Sequence, residues 1–137
     1  MKAHVSVITL GVEDVARAKQ FYAEGLGWPI DQDFGQWVCF PLGDGSMGLG
    51  LYPIDSLAGD AGVADARAGF GGVTLSYLVG SEDRVAEVLA EAEKAGGTIL
   101  KPAQKAQWGG ADGYFSDLDG YVWKVAAGTT PSRYAAE

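Results

Sequence analysis

Residues 108–125 read WGGADGYFSDLDGYVWKV, and this stretch decides the predicted fold. Its centre, Asp117-Leu118-Asp119-Gly120, has the residues of a tight turn, because Asp bonds to nearby backbone N–H groups and Gly adopts positive φ. Side chains alternate along the flanking strands, so Trp123 and Lys124 lie on opposite faces. We therefore predict a β-hairpin with one apolar face and one face that carries a single charge.

An earlier stretch is a weaker copy of this hairpin. Residues 40–45, FPLGDG, match residues 115–120, FSDLDG, at the Phe and at the Asp-Gly pair. Before each copy comes an apolar, β-prone segment, 7–12 or 74–79, which is followed by an acidic helix start. The sequence therefore predicts one structural unit used twice.

Apolar stripes with helical spacing complete the secondary structure prediction. They predict helices over 14–26 and 82–95, the second capped by Ser81. The first predicted strand covers 4–12, and the remaining ones, besides the hairpin, cover 30–34, 36–42, 46–52, 73–79 and 98–101, the last interrupted at Pro102.

The resulting fold class is α+β, with two βαβββ modules that form a curved mixed sheet. We predict a single domain over 4–127, with modules at about 4–53 and 72–127, a linker over 54–71 and a loose tail over 128–137. One helix covers only one face of its sheet, so the other faces are expected to form a concave ligand cleft.

Composition excludes several classes of function. With 47% hydrophobic residues, the 137-residue chain can bury a sizeable core, and its net charge of −8 argues against nucleic acid and anionic membranes as partners. The single cysteine, Cys39, rules out an internal disulfide and fits a reducing compartment. No apolar run reaches the roughly 20 residues of a membrane span, and none resembles a signal peptide, so we expect a cytoplasmic protein.

Three phrases carry a family resemblance: ITLGVEDVARAKQFY, AGGTILKPA and GYFSDLDGYVWKVA. Together with the duplication, they resemble the vicinal oxygen chelate superfamily, which includes glyoxalase I, bleomycin-resistance and fosfomycin-resistance proteins and extradiol dioxygenases. The resemblance covers about residues 4–127 and implies the fold above and a homodimer. It leaves the activity open, because that superfamily includes metal-dependent isomerases, transferases and oxygenases as well as metal-free binding proteins.

The resemblance also implies four metal positions, on the first and last strand of each module. Counted along this chain, they fall on Val7, Leu49, Thr74 and Lys124, and the last replaces the usual Glu in a WEV-like phrase. Val and Leu have no donor atom, Thr is weak, and a protonated Lys repels a cation. We therefore expect no cofactor, with a divalent metal as the alternative.

Three other residues have competing interpretations. His4, the only histidine, is a displaced ligand or general base, or else a solvated residue, since its parity is opposite to that of Val7. Asp117 and Asp119 form an acid–base pair or simply cap the turn.

Lys124 is the main candidate for chemistry. Its candidate roles are to bind a ligand carboxylate, to act as a base or to form a Schiff base. The alternative is that it only pairs with a carboxylate such as Asp112. Parity places Trp37, Cys39, Tyr114 and Ser116 on the cleft face, and Trp123, Phe115 and Tyr77 beneath the helices. Trp108 precedes the flexible pair Gly109-Gly110.

Two functions follow. The first is a metal-free, glyoxalase/bleomycin-resistance-like protein that binds a small molecule through Trp37, Tyr114, Lys124, Trp108 and Thr74. The second is a glyoxalase-like lyase or isomerase, or a dioxygenase. Its metal is held by residues such as His4, Glu13 or Asp112, or it is metal-free and uses Lys124.

Overall fold

A computed structural model describes residues 1–61, 70, 71 and 73–137 of the chain. It divides into two compact units, Met1–Gly69 and Phe70–Glu137, each with one four-stranded sheet. In the described part of the chain, no helix is long and apolar enough to cross a membrane. The predicted linker, 54–71, lies partly outside the described residues.

The first unit has the strand order β1-β4-β3-β2, with β1 parallel to β4 and the other pairs antiparallel. Helix α1 continues into a π-helical turn at Phe21–Gly25. The elements are β1 (Val7–Val12), α1 (Val15–Gln20), β2 (Gln32–Asp33), β3 (Val38–Leu42), β4 (Met47–Pro53) and α2 (Ile54–Ala61).

The second unit repeats this pattern with the strand order β5-β8-β7-β6. Strand β5 is parallel to β8, and the remaining pairs are antiparallel. The elements are β5 (Thr74–Leu78), α3 (Glu82–Lys94), β6 (Thr98–Lys105), β7 (Ala111–Ser116) and β8 (Val122–Ala127). Two βαβββ modules in an α+β fold are thus confirmed. Each has its own open sheet, and the concave cleft stays a prediction.

Helix α3 begins at the predicted residue, Glu82, α1 begins at Val15, one residue after its predicted start, and α2 lies within the predicted linker. Asp14 caps α1 by accepting a hydrogen bond from the N–H of Arg17, and Ser81 caps α3 in the same way through Arg84. Each helix then packs its apolar stripe onto one face of its sheet. The buried stripe residues are Val15, Ala18, Phe21 and Tyr22 in the first unit, and Val85, Leu89 and Ala92 in the second.

Each sheet therefore has one face beneath its helix and another turned away from α1 or α3, which we call the far face. In the first unit, the Tyr22 ring lies 5.9 Å from that of Phe40, so Phe40 belongs to the helix face. In the second, a Cβ at Gly113 would collide with Leu89 of α3. Because side chains alternate, Cys39 and Lys124 lie on the far faces.

Strand β6 corrects the prediction that Pro102 interrupts the strand. It runs through Pro102 to Lys105, with register shifts between Ile99 and Lys101 and between Lys101 and Gln104. Proline lacks a backbone donor, but β6 is an edge strand, and irregular pairing there tolerates the loss.

The end of the chain corrects the prediction of a loose tail. The N–H of Ala136 donates to the carbonyl oxygen of Leu78 over 2.8 Å. The carboxylate of Glu137 accepts a hydrogen bond from the Tyr77 hydroxyl at 2.7 Å and another from Arg84. These bonds attach the tail to β5 and α3.

Candidate functional site

The far face of the second unit has Lys124 at its centre. The β7–β8 pairing places Lys124 directly beside Tyr114, and its Nζ lies 5.8 Å from the centre of the Tyr114 ring. On another side, the same Nζ lies 5.5 Å from the centre of the Trp108 ring. Both distances allow a cation–π interaction between the ammonium and the ring.

A tight loop between β6 and β7 positions Trp108. The N–H of Ala106 donates to the carbonyl oxygen of Gly110 over 2.8 Å, and Gly109 has a φ of 103°. The Trp108 ring lies over Gly110, where any Cβ would collide with it. Trp108 stays 51% exposed, so an apolar surface remains available beside Lys124.

Asp112 is the counter-ion of Lys124. Its Oδ2 lies 3.7 Å from Nζ, and the two side chains are 11% and 28% exposed, respectively. The predicted pairing with a carboxylate such as Asp112 is therefore confirmed. The ion pair does not exclude contact between Lys124 and a ligand, and this contact stays a prediction.

Two hydroxyl side chains from β5 lie on the same face. Ser76 pairs with Lys124 and Thr74 with Val122, and both β5 residues are exposed. Only Thr74 was predicted as a site residue, although the alternation of Thr74 and Ser76 along one strand is a sufficient signal for both.

Trp37 belongs to the first unit. Its ring lies over Gly50 on the far face and makes a T-shaped contact with Tyr52, with 6.1 Å between ring centres. Its Nε1 donates to Oε1 of Gln32 at 2.9 Å. Beside Gly50, Cys39 is buried, and desolvation followed by the charge of Asp31 raises the pKa of its thiol.

The predicted placement of Leu49 beside Val7 on the cleft face is wrong. Leu49 pairs with Ile8 and is fully buried on the helix face, whereas Val7 pairs with Gly48 on the far face. The cause is hairpin length. Phe40 pairs with Leu49 but Phe115 pairs with Trp123, so the first hairpin is one residue longer than the second.

The residue that matches Lys124 in the first unit is therefore Gly50. Neither residue is a suitable ligand for a divalent cation, and the exposed residues His4 and Glu13 lie outside the strands. Among the described residues, no group of three or more His, Cys, Asp or Glu is arranged to hold a metal. The side chains on each far face do not fit the metal that the resemblance implies, but metal loss itself stays a prediction.

The aromatic residues of the helix face lie where the sequence predicts. The rings of Phe115 and Trp123 are stacked, with their centres 6.0 Å apart, and both side chains are buried. Burial, followed by the hydrogen bond to Glu137, raises the pKa of Tyr77 to about 12. These residues support the fold and take no part in the candidate site.

Asp117 is a turn residue, as predicted. Its Oδ1 accepts hydrogen bonds of 2.9 Å from the backbone N–H groups of Asp119 and Tyr121. The side chain is buried and stabilises the hairpin that carries Lys124.

A family model described as the Glyoxalase/Bleomycin resistance protein/Dioxygenase superfamily matches residues 4–125. The chain belongs to this superfamily. The match covers both βαβββ units, so the resemblance seen in the sequence is confirmed. None of the curated proteins compared matches the chain.

Solved structures of the same superfamily are similar over nearly the whole chain. A glyoxalase-related enzyme from Fulvimarina pelagi is 31% identical with a TM-score of 0.85, covering 98% of this chain and 100% of that one. A glyoxalase/bleomycin resistance protein/dioxygenase from Nocardioides is 17% identical with a TM-score of 0.77, covering 100% and 91%. A lactoylglutathione lyase from Agrobacterium tumefaciens is 19% identical with a TM-score of 0.67, covering 93% and 95%. The last two support the fold alone.

Proposed function

We propose that this protein binds a small molecule with a carboxylate and a flat apolar body on the far face of the second unit, without a metal ion. The observation that supports the proposal most is the Lys124 side chain, which is 28% exposed and whose Nζ lies 5.5 and 5.8 Å from two aromatic ring centres. A cation on an apolar surface is suited to a ligand carboxylate whose body stacks on the rings.

Each side chain has a separate role in this proposal. Lys124 binds the anionic group, Trp108 and Tyr114 contact the flat body, and the exposed hydroxyl of Thr74 hydrogen-bonds to polar substituents. The proposed site consists of residues of the second unit; Trp37, which the sequence also predicts as a ligand contact, belongs to the first unit and is not included in it. A homodimer and a cytoplasmic location belong to the same proposal, and light scattering during size-exclusion chromatography tests the first.

The test compares aromatic carboxylates with their neutral amides. We expect phenylacetate and indole-3-acetate to raise the melting temperature and the amides to have little effect, because only the carboxylates pair with Lys124. The Lys124→Met variant should lose this response, and Lys94→Met, which removes an exposed charge from α3, should keep it. Equal responses to acids and amides, or to the two variants, would contradict the proposal.

A second function is favoured by one comparison. The 31% identical structure from Fulvimarina pelagi is described as a glyoxalase-related enzyme. The corresponding activity here is that of a lyase or isomerase, or of a dioxygenase. It is either metal-free, with Lys124 as acid or base, or dependent on a metal bound by residues such as His4, Glu13 or Asp112. Mass spectrometry of ligands after incubation separates the two functions, since a binding protein returns every ligand unchanged.

A further inference from the structure

The side chain of Asp112 has an unusual environment for a buried carboxylate. It is 11% exposed and lies on the far face, in the row of β7 that also contains Tyr114. Within residues 1–61, 70, 71 and 73–137, no group donates a hydrogen bond to it, and its one ionic partner is Lys124. Buried carboxylates normally accept several hydrogen bonds, so this one has unused capacity.

The ion pair between Lys124 and Asp112 is long. At 3.7 Å, Nζ and Oδ2 are beyond the distance of roughly 2.7–2.9 Å that is typical of a charge-assisted hydrogen bond. Lys124 also donates no hydrogen bond within the described part of the chain, which leaves three N–H donors for a ligand. The site therefore presents one positive and one negative group, close together and each without hydrogen bonds.

A ligand with a carboxylate alone does not suit both groups. Its carboxylate would bind Lys124 but would also lie close to Asp112, where repulsion between like charges weakens binding. A ligand that carries an amine beside its carboxylate places its own charges opposite both. Positive and negative charges then alternate around a square, in the order Lys124, ligand carboxylate, ligand ammonium and Asp112.

From this geometry we propose that the ligand is an aromatic α-amino acid or a close analogue. Its carboxylate accepts from Lys124, its ammonium donates to Asp112, and its ring stacks on the exposed surface of Trp108. The inference rests on the proposed function and goes further, because it assigns Asp112 to binding and names the ligand class. An α-hydroxy acid also has a donor beside its carboxylate, but it lacks the positive charge that complements Asp112.

The experiment uses four matched probes and isothermal titration calorimetry. L-phenylalanine carries both charges, 3-phenylpropionate lacks the amine, phenethylamine lacks the carboxylate, and 3-phenyllactate has a hydroxyl in place of the amine. We expect phenylalanine to bind at least about tenfold more tightly than each of the others, because only it carries a charge opposite to that of Lys124 and another opposite to that of Asp112.

The Asp112→Asn variant gives the sharper result. It removes the charge and keeps the shape, so phenylalanine should bind more weakly and 3-phenylpropionate more tightly, which brings their affinities close together. The control Glu93→Gln, at an exposed position of α3, should leave the preference unchanged. Since Lys124→Met alone leaves Asp112 without its counter-ion, the double variant Asp112→Asn/Lys124→Met checks that folding survives loss of both charges.

The possible results separate the two proposals. If 3-phenylpropionate binds as tightly as phenylalanine and Lys124→Met abolishes both, the amino acid inference is wrong and the proposed function stands. If 3-phenyllactate equals phenylalanine, the positive charge is irrelevant and the inference is also wrong. If none of the probes binds, or if Lys124→Met has no effect, both proposals are contradicted.

Discussion

At matching positions of the two far faces, the first unit has Gly50 and the second has Lys124. Both units also lay a tryptophan ring over a glycine, with Trp37 over Gly50 and Trp108 over Gly110. In the first unit the covered glycine is Gly50, the residue that matches Lys124, so the Trp37 ring occupies the space that a side chain there would need. In the second, the covered glycine lies at the start of the hairpin, and Lys124 stands beside the ring.

The two units are alike on their helix faces and different on their far faces. The helix faces of both units remain apolar and buried, because each must still bury its helix. The far faces do not pack against α1 or α3, and among the described residues the far face of the second unit has the ion pair of Lys124 and Asp112. The two units therefore share the apolar packing of their helix faces and differ in the residues of their far faces.

The largest expected effect is a difference in the free energy of unfolding between two variants of the second unit, one on the helix face and one on the far face. Trp123→Ala should lower the free energy of unfolding by about 3–5 kcal/mol, because it removes a buried ring that stacks on Phe115. Urea denaturation measures this loss. The matched control is Trp108→Ala, at a half-exposed ring, which should cost much less; equal losses would mean that the faces are assigned wrongly.

The next effect concerns the first unit. Gly50→Ala should destabilise the protein by about 1–3 kcal/mol, because the new Cβ displaces the Trp37 ring. The same substitution in a Trp37→Ala background should cost clearly less. A double-mutant cycle by chemical denaturation measures the difference. Identical costs in both backgrounds would show that the ring is not what excludes a side chain at this position.

A smaller effect compares the two tryptophans in binding. With any aromatic carboxylate that stabilises the protein, Trp108→Leu should weaken binding by about 0.5–1.5 kcal/mol, the range for aromatic stacking. Trp37→Leu, at a ring of the first unit that lies over Gly50 and donates to Gln32, is the control and should leave the affinity unchanged. Calorimetric titration of both variants makes the comparison, and equal losses would contradict a specific role for Trp108.

The smallest expected effect concerns the C-terminal tail and tests whether its contacts influence ligand binding on the far face. Hydrogen bonds from Arg84 and Tyr77 hold the pKa of Glu137 below its ordinary value. Its contribution to stability is therefore present at neutral pH and lost as the pH falls through its pKa in the folded protein. Glu137→Gln should lower the melting temperature slightly at pH 7, and the difference should vanish in acid. Ligand affinity should not change, since these residues lie on the helix side; an altered affinity would contradict this separation.

How much was predictable from the sequence depends on how local each signal is. Helix α3 has its cap, stripe and terminating glycine within one short segment, and its predicted start at Glu82 agrees with the structure. The proximity of Tyr114 and Lys124 follows from alternation across one tight turn. The position of Leu49 failed because it depended on the length of a hairpin, and one extra residue exchanges the two faces.

Other features required packing that no local pattern encodes. Nothing in the sequence indicates that Trp37 covers Gly50, because the two residues meet only through the register of β3 and β4. The open geometry of the Asp112–Lys124 pair is likewise a matter of distance, although parity brings the two residues to one face. Residue types and faces were therefore predictable, and contacts within a face were not.

The central claim is that Lys124, rather than a metal ion, provides the positive charge of the ligand site. The most direct test is the metal content of protein purified without a histidine tag, measured by elemental mass spectrometry, together with thermal shifts in Zn²⁺, Ni²⁺, Mn²⁺ and Fe²⁺. We predict far less than one metal ion per chain and no stabilisation by any of these ions. A nearly stoichiometric metal content, or clear stabilisation by one ion, would contradict the claim and favour the metal-dependent enzyme.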